Sequence, residues 1–99
     1  MTEMQHYIIL GNRTEQGLRE LKDTPKRVED AHRLLERLGG RMQYYYTMGE
    51  YDFVAIVDLP TEEKMLQFLT EVNSAGYVRT TTLKAWSDKE TAQLLAKMP

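Results

Sequence analysis

The chain has 99 residues, 41% hydrophobic and 28% charged, with a formal net charge of -2 and no cysteine. That length suits one domain around one core, and the missing cysteines exclude disulfides, thiolate metal sites and a cysteine nucleophile. The balance of charge offers no general attraction to nucleic acid or an acidic membrane, and no apolar run approaches the roughly 18 residues of a membrane span. Met1 to Gln5 lacks a basic segment followed by a long apolar one, so cytoplasmic residence is the expectation.

Residues 4–10 form a nearly continuous apolar run closed by Gly11-Asn12, which reads as a strand covered on both faces and ended by a turn. Alternation sets His6, Ile8 and Leu10 on one face and Tyr7 and Ile9 on the other. Thr14 to Lys22 reads as a short helical turn weakened at Gly17. Thr24 is expected to cap a helix with Pro25 at its first position, where the missing N–H costs nothing. From Pro25 to Leu38 the residues Val28, Ala31, Leu35 and Leu38 recur at helical spacing, and Gly39-Gly40 closes the helix.

Two strand-favouring runs follow, Arg41 to Thr47 and Phe53 to Asp58, around Met48-Gly49-Glu50-Tyr51-Asp52. This predicts a hairpin, with Gly49 supplying a positive φ and the Asp52 carboxylate bonding turn amides. Leu59-Pro60 ends the second run. Thr61 is placed to cap a helix whose Met65, Phe68, Leu69 and Val72 make one stripe, stopped by Asn73 to Gly76. Tyr77 to Trp86 predicts a fourth strand. Ser87 to Glu90 reads as a capping box, and Ala92, Leu95 and Met98 give a tail helix its apolar positions.

The order of elements predicts an α+β, ferredoxin-like βαββαβ fold with a four-stranded antiparallel sheet over residues 1–86, extended by a helical tail over 87–99. Both helices then cover one face of the sheet. The other face carries tyrosine and isoleucine rather than charge, so a homodimer packed face to face is expected, with larger assemblies left open.

Several segments resemble the GYD domain family. Gly49-Glu50-Tyr51-Asp52 matches its Gly-x-Tyr-Asp element, Leu21 to Arg27 its helix entry, Leu38-Gly39-Gly40 its helix exit and Gly76 to Leu83 its last strand. Together these span about residues 6 to 86. The resemblance implies a dimeric α/β barrel of ferredoxin-like protomers, in a family largely without assigned biochemistry. The hairpin is also similar, remotely, to that in the ligand-binding domain of leucine-responsive transcription regulators. No helix-turn-helix precedes it here, so direct DNA binding does not carry over.

Candidate chemistry centres on Tyr44, Tyr46, Tyr51, Asp52 and Arg79, which would suit a small anionic or aromatic ligand. Arg79, within a strand, must find an acceptor if buried, and Asp52, Asp58 and Asp23 are the structural partners open to it. His6, Asp52 and Arg79 are also the catalytic candidates, as base and anion stabiliser. The structural alternatives are a hydrogen-bonded core histidine and an aspartate that ties down a turn. The histidines lack metal-ligand spacing, and no phosphate-binding loop or nucleophile elbow is present, so neither metal nor cofactor is expected. Three functions stand open: a small-molecule binding or regulatory module, a cofactor-independent enzyme of oxygenase, isomerase or lyase type, and an assembly component or scaffold.

Overall fold

A computed structural model describes residues 3–99. Met1 and Thr2, the start of the amino-terminal stretch read above, lie outside the described residues. The elements are β1 (Gln5–Arg13), α1 (Glu15–Arg19), a 3-10 turn over Leu21–Asp23, and α2 (Thr24–Arg37). They continue with β2 (Arg41–Tyr46), β3 (Phe53–Leu59), α3 (Glu62–Ser74), β4 (Val78–Ala85) and α4 (Asp88–Ala96). The strands form one antiparallel sheet in the order β2-β3-β1-β4, the ferredoxin-like arrangement that the sequence predicts.

Alternation along the strands divides the sheet into two chemically different faces. Tyr7, Ile9, Ala55, Val57 and Leu59 point to the helices and are buried with Leu35, Leu38, Met65 and Phe68. Burial of each such side chain contributes about 1.5–3 kcal/mol. On the opposite face, Tyr45, Ile56 and Leu83 remain 55%, 38% and 47% exposed, so β1 is covered on one side within a single chain, not on both.

The helix ends follow local chemistry. α2 stops in a Schellman closure: Gly40 N–H donates to Leu35 O at 2.8 Å and Gly39 N–H to Glu36 O at 3.0 Å, with Gly39 at φ 85°. Thr61 caps α3 by accepting Lys64 N–H at 3.2 Å, and Ser87 and Glu90 form the reciprocal capping box of α4. Thr24 differs from expectation. It already has helical dihedrals, and its hydroxyl donates backwards to Leu21 O at 2.6 Å, so the 3-10 turn rather than a side chain leads into α2.

β1 also runs three residues further than the turn signal at Gly11-Asn12 implied. Gly11 stays in the strand because the Phe53 ring, on the paired strand, fills the space that its side chain would occupy. Gly49 is at φ 113° with no atom near its absent Cβ, so its constraint is conformational, not steric.

Two substitutions separate these effects in urea denaturation. Gly49→Ala is expected to cost about 1 kcal/mol through its backbone alone. Gly11→Ala is expected to cost about 1–3 kcal/mol, because the aromatic ring must shift in a packed core. Wild-type stability in either variant would contradict the corresponding account.

Candidate functional site

α2 and α3 bury Leu35 and Met65 against the sheet beside Leu59. Between them lies a half-open cavity of about 400 Å3. Its apolar walls include Ile9, Ala31, Leu34, Phe53, Phe68 and Val72, and its charged and phenolic lining comprises Arg13, Arg27, Arg37, Asp30, Glu71, Tyr44 and Tyr77. The aromatic side is ordered by stacking: Tyr44 lies 5.0 Å from Phe53 in a near-parallel arrangement and 5.2 Å from Tyr46 edge to face.

Arg27 holds its position through three contacts. Its guanidinium stacks on Tyr77, 4.1 Å from the ring centroid, and donates to Glu20 O at 3.1 Å and Thr24 Oγ1 at 3.2 Å. Arg13 sits where β1 ends. Its backbone N–H donates to Asp52 Oδ2 at 2.8 Å, while its side-chain nitrogen is 4.0 Å from Asp52 Oδ1, too far for a full hydrogen bond. Burial pushes the Tyr44 phenol well above its ordinary value, as does Tyr46, against the opposing pull of Arg13 and Arg27. Tyr44 therefore presents a neutral O–H at physiological pH.

Of the residues singled out in the sequence, Tyr44 lines the cavity, Tyr46 packs beside it, and Asp52 stands behind Arg13. The Asp52 carboxylate thus bonds an amide of β1, not one of its own turn, and Asp52 N–H donates to Gly11 O at 2.8 Å. Tyr51 contributes its backbone carbonyl, which accepts the Thr47 hydroxyl at 2.6 Å, and is absent from the cavity wall.

Arg79 requires a correction. The sequence reading placed it in an enclosed site with the tyrosines, but it is paired with Asn12 on the open face and is exposed. Among the described residues it makes no ion pair with Asp23, Asp52 or Asp58. The guanidiniums at the cavity are those of Arg13, Arg27 and Arg37, none of them among the sequence-predicted site residues. Arg27 belongs to the helix-entry motif, where charges alternate in sign as on a solvated helix face. Arg13 was hidden by reading Gly11-Asn12 as a turn.

His6 is on the open face and engaged at both ring nitrogens. Nδ1 is 2.6 Å from Asp58 Oδ1 and Nε2 is 3.0 Å from Glu90 Oε1, while Arg41 Nε donates to Asp58 Oδ2 at 2.9 Å. Burial alone would raise the Asp58 carboxyl, but the hydrogen bonds from His6 and Arg41 hold it below its usual range. Among the described residues, no group of three metal-ligating side chains converges, and no helix is long and apolar enough to cross a membrane.

The sequence matches the GYD domain over residues 7–95. The chain belongs to the GYD domain family. The family match passes beyond β4 into α4. A GYD-type relative from Thermus thermophilus, a glutamine synthetase and cystathionine beta-lyase binding protein, is 32% identical over 84 residues, covering 83% of this chain and 88% of that one. Among solved structures, a dimeric ferredoxin-like protein of unknown function from Thermobifida fusca matches 86% of this chain and 93% of its own, with 15% identity and a TM-score of 0.40.

The Asp58 network has a pH consequence. Its folded pKa is depressed, so its stabilisation is fully present above the unfolded value of about 3.9 and is lost as pH falls from there through the lower folded value. Asp58→Asn is expected to destabilise the protein at neutral pH and to reduce the loss of stability on acidification. Urea melts at pH 7 and below pH 4 measure both, and an unchanged acid dependence in the variant would contradict this role.

Proposed function

We propose that this GYD domain protein is a small regulatory binding module that takes a small anionic or aromatic molecule in the cavity between α2, α3 and the sheet. The observation that carries the reading is the cavity itself, largely apolar in its walls and furnished with three guanidiniums, from Arg13, Arg27 and Arg37, against the two carboxylates of Asp30 and Glu71, with the neutral phenol of Tyr44 beside them. About 400 Å3 lies within the range of small-molecule sites. An assembly component with no ligand would have no use for unfilled volume in so small a core. Arg13 is only loosely paired with Asp52, so its donors can turn to an incoming carboxylate.

The module acts as a homodimer through the open sheet face, in this reading. Tyr45, Ile56 and Leu83 are exposed there together, and a second copy supplies the matching surface. Regulation is then passed to a protein partner. The Thermus relative carries the name of a binding protein for two enzymes, and docking on a metabolic enzyme is the corresponding role here.

The enzyme alternative has less support. His6 and Arg79 lie at opposite ends of the β1–β4 pairing and on the face away from the cavity. Both nitrogens of His6 face carboxylates, and Asp52 is occupied by the Arg13 amide. No base and anion stabiliser therefore meet at one place.

Ligand binding is tested by thermal shift with benzoate, phenylpropionate and branched aliphatic carboxylates beside their neutral amides. Carboxylates are expected to raise the melting temperature, and Arg13→Met is expected to abolish the rise while leaving the fold intact. Ala31→Leu, which fills the cavity, should raise the melting temperature by itself and remove the response. A response shared equally by the amides, or none from any carboxylate, would overturn the ligand assignment. Light scattering tests the dimer: a monomer at micromolar concentration would remove it.

A further inference from the structure

α4 buries none of its residues: Leu94 and Leu95 are 63% and 58% exposed, and Met98 just beyond it 60%. Among the described residues, its side-chain polar contact with the body of the fold is Glu90 with His6 Nε2 at 3.0 Å. The same Glu90 carboxylate accepts Ser87 N–H at 2.9 Å and so completes the capping box that starts the helix. The position of α4 and the integrity of its first turn thus meet at one carboxylate, and that carboxylate faces an imidazole.

The imidazole faces a second carboxylate on its other side, from Asp58, 2.6 Å from Nδ1. A neutral imidazole carries one N–H, so it donates to one neighbour and presents a lone pair to the other. Only the imidazolium donates to both. The proton does not come from the acids. Hydrogen bonds from His6 and Arg41 hold Asp58 low, outweighing its burial, while those from Ser87 hold Glu90 low. Both remain carboxylates wherever histidine titrates.

We propose that His6 is a proton-operated latch for the tail helix, anchoring the first turn of α4 at the sheet through Glu90 when doubly protonated and releasing Glu90 when it loses a proton. The groups that face the latch are Asp58 from β3, Arg41 from β2 through Asp58, Glu90 from α4, and Lys84 from β4, whose charge reaches Glu90. With the ring protonated, the two acids are matched by His6 and Arg41. On deprotonation the remaining proton stays on Nδ1, because Asp58 is the closer partner and, at 15% exposure, the more buried one. The Nε2 lone pair then confronts Glu90, and the contact changes from attraction to repulsion. Release leaves α4 attached through the chain after β4 and free to move relative to the open face.

The test compares amide hydrogen-exchange protection in residues 91–97 at about pH 5.5 and about pH 8, with the protonation state of His6 read at each pH. Protection factors, corrected for intrinsic exchange, are expected to fall several-fold at the higher pH, in step with conversion of His6 from the imidazolium to the Nδ1–H tautomer in nitrogen NMR spectra. Glu90→Gln keeps the capping box, because glutamine serves at that position, but removes the charge. It is expected to give low protection that no longer responds to pH, as is His6→Gln. Flat wild-type protection across this interval, or a response that survives in Glu90→Gln, would overturn the latch.

Discussion

The Phe53 ring occupying the place of a side chain at Gly11 is the contact on which the candidate site depends. It fixes the pairing of Gly11 with Phe53 and hence the register of β1 against β3, and a slip of one residue would send every core side chain to the opposite face. The same ring gives Tyr44 a stacking partner at 5.0 Å and forms part of the cavity wall. Extending β1 past Gly11 also carries Arg13 to the edge of that cavity. Asp52 completes the arrangement from the hairpin side, since its amide bonds Gly11 and its carboxylate bonds Arg13. The family's Gly-x-Tyr-Asp loop therefore works as a clasp between the β2–β3 hairpin and the end of β1.

Strand parity explains why one arginine serves the cavity and another does not. In the β1–β4 pairing, Arg13 is opposite Val78 and Asn12 is opposite Arg79, so the two arginines are diagonal neighbours on adjacent strands. Their side chains leave through opposite faces of the sheet. Arg13 enters an apolar setting between helices, where a guanidinium interacts more strongly with a ligand charge than it would in water. Arg79 enters a face bare of helices, where its charge is solvated and adds to the hydrophilic rim around Ile56 and Leu83. Two residues of identical chemistry thus acquire different surroundings from a one-residue offset.

The element order, the two helical stripes, the Schellman closure at Gly39, the positive φ of Gly49 and the α4 capping box were all legible in the sequence, because each follows from local spacing or local backbone preference. The site was only partly legible. Gly11-Asn12 carries a turn signature, and only the long-range contact with Phe53 converts Gly11 into a strand residue. Arg27 sits among alternating charges on an amphipathic helix, and nothing local distinguishes it from Lys26 or Arg33. Its stacking on Tyr77, fifty residues on, does. Alternation correctly placed His6 on a face with Ile8 and Leu10, yet its two acidic partners come from β3 and α4, beyond the reach of periodicity.

The cavity and the stable end of the core arise from one gradient of side-chain size along the helices. Leu35 and Leu38 on α2 and Met65 on α3 meet Val57 and Leu59 at one end and fill the space to the point of full burial. Toward the hairpin end the lining includes the shorter Val28 and Ala31 of α2, Val72 of α3 and Ala75 at its C-cap, beside Leu34 and Phe68. Short side chains facing one another leave volume that the backbone cannot close, because the helices are already held apart by the large residues at the packed end. Unfilled apolar volume forfeits dispersion contacts and lowers stability, by roughly 24 cal/mol for each Å3 left by a truncated side chain. The packed end, where Leu35, Val57, Leu59 and Met65 are buried, offsets that loss. Filling that volume with a side chain or with the proposed ligand would restore the missing dispersion contacts and so stabilise the protein.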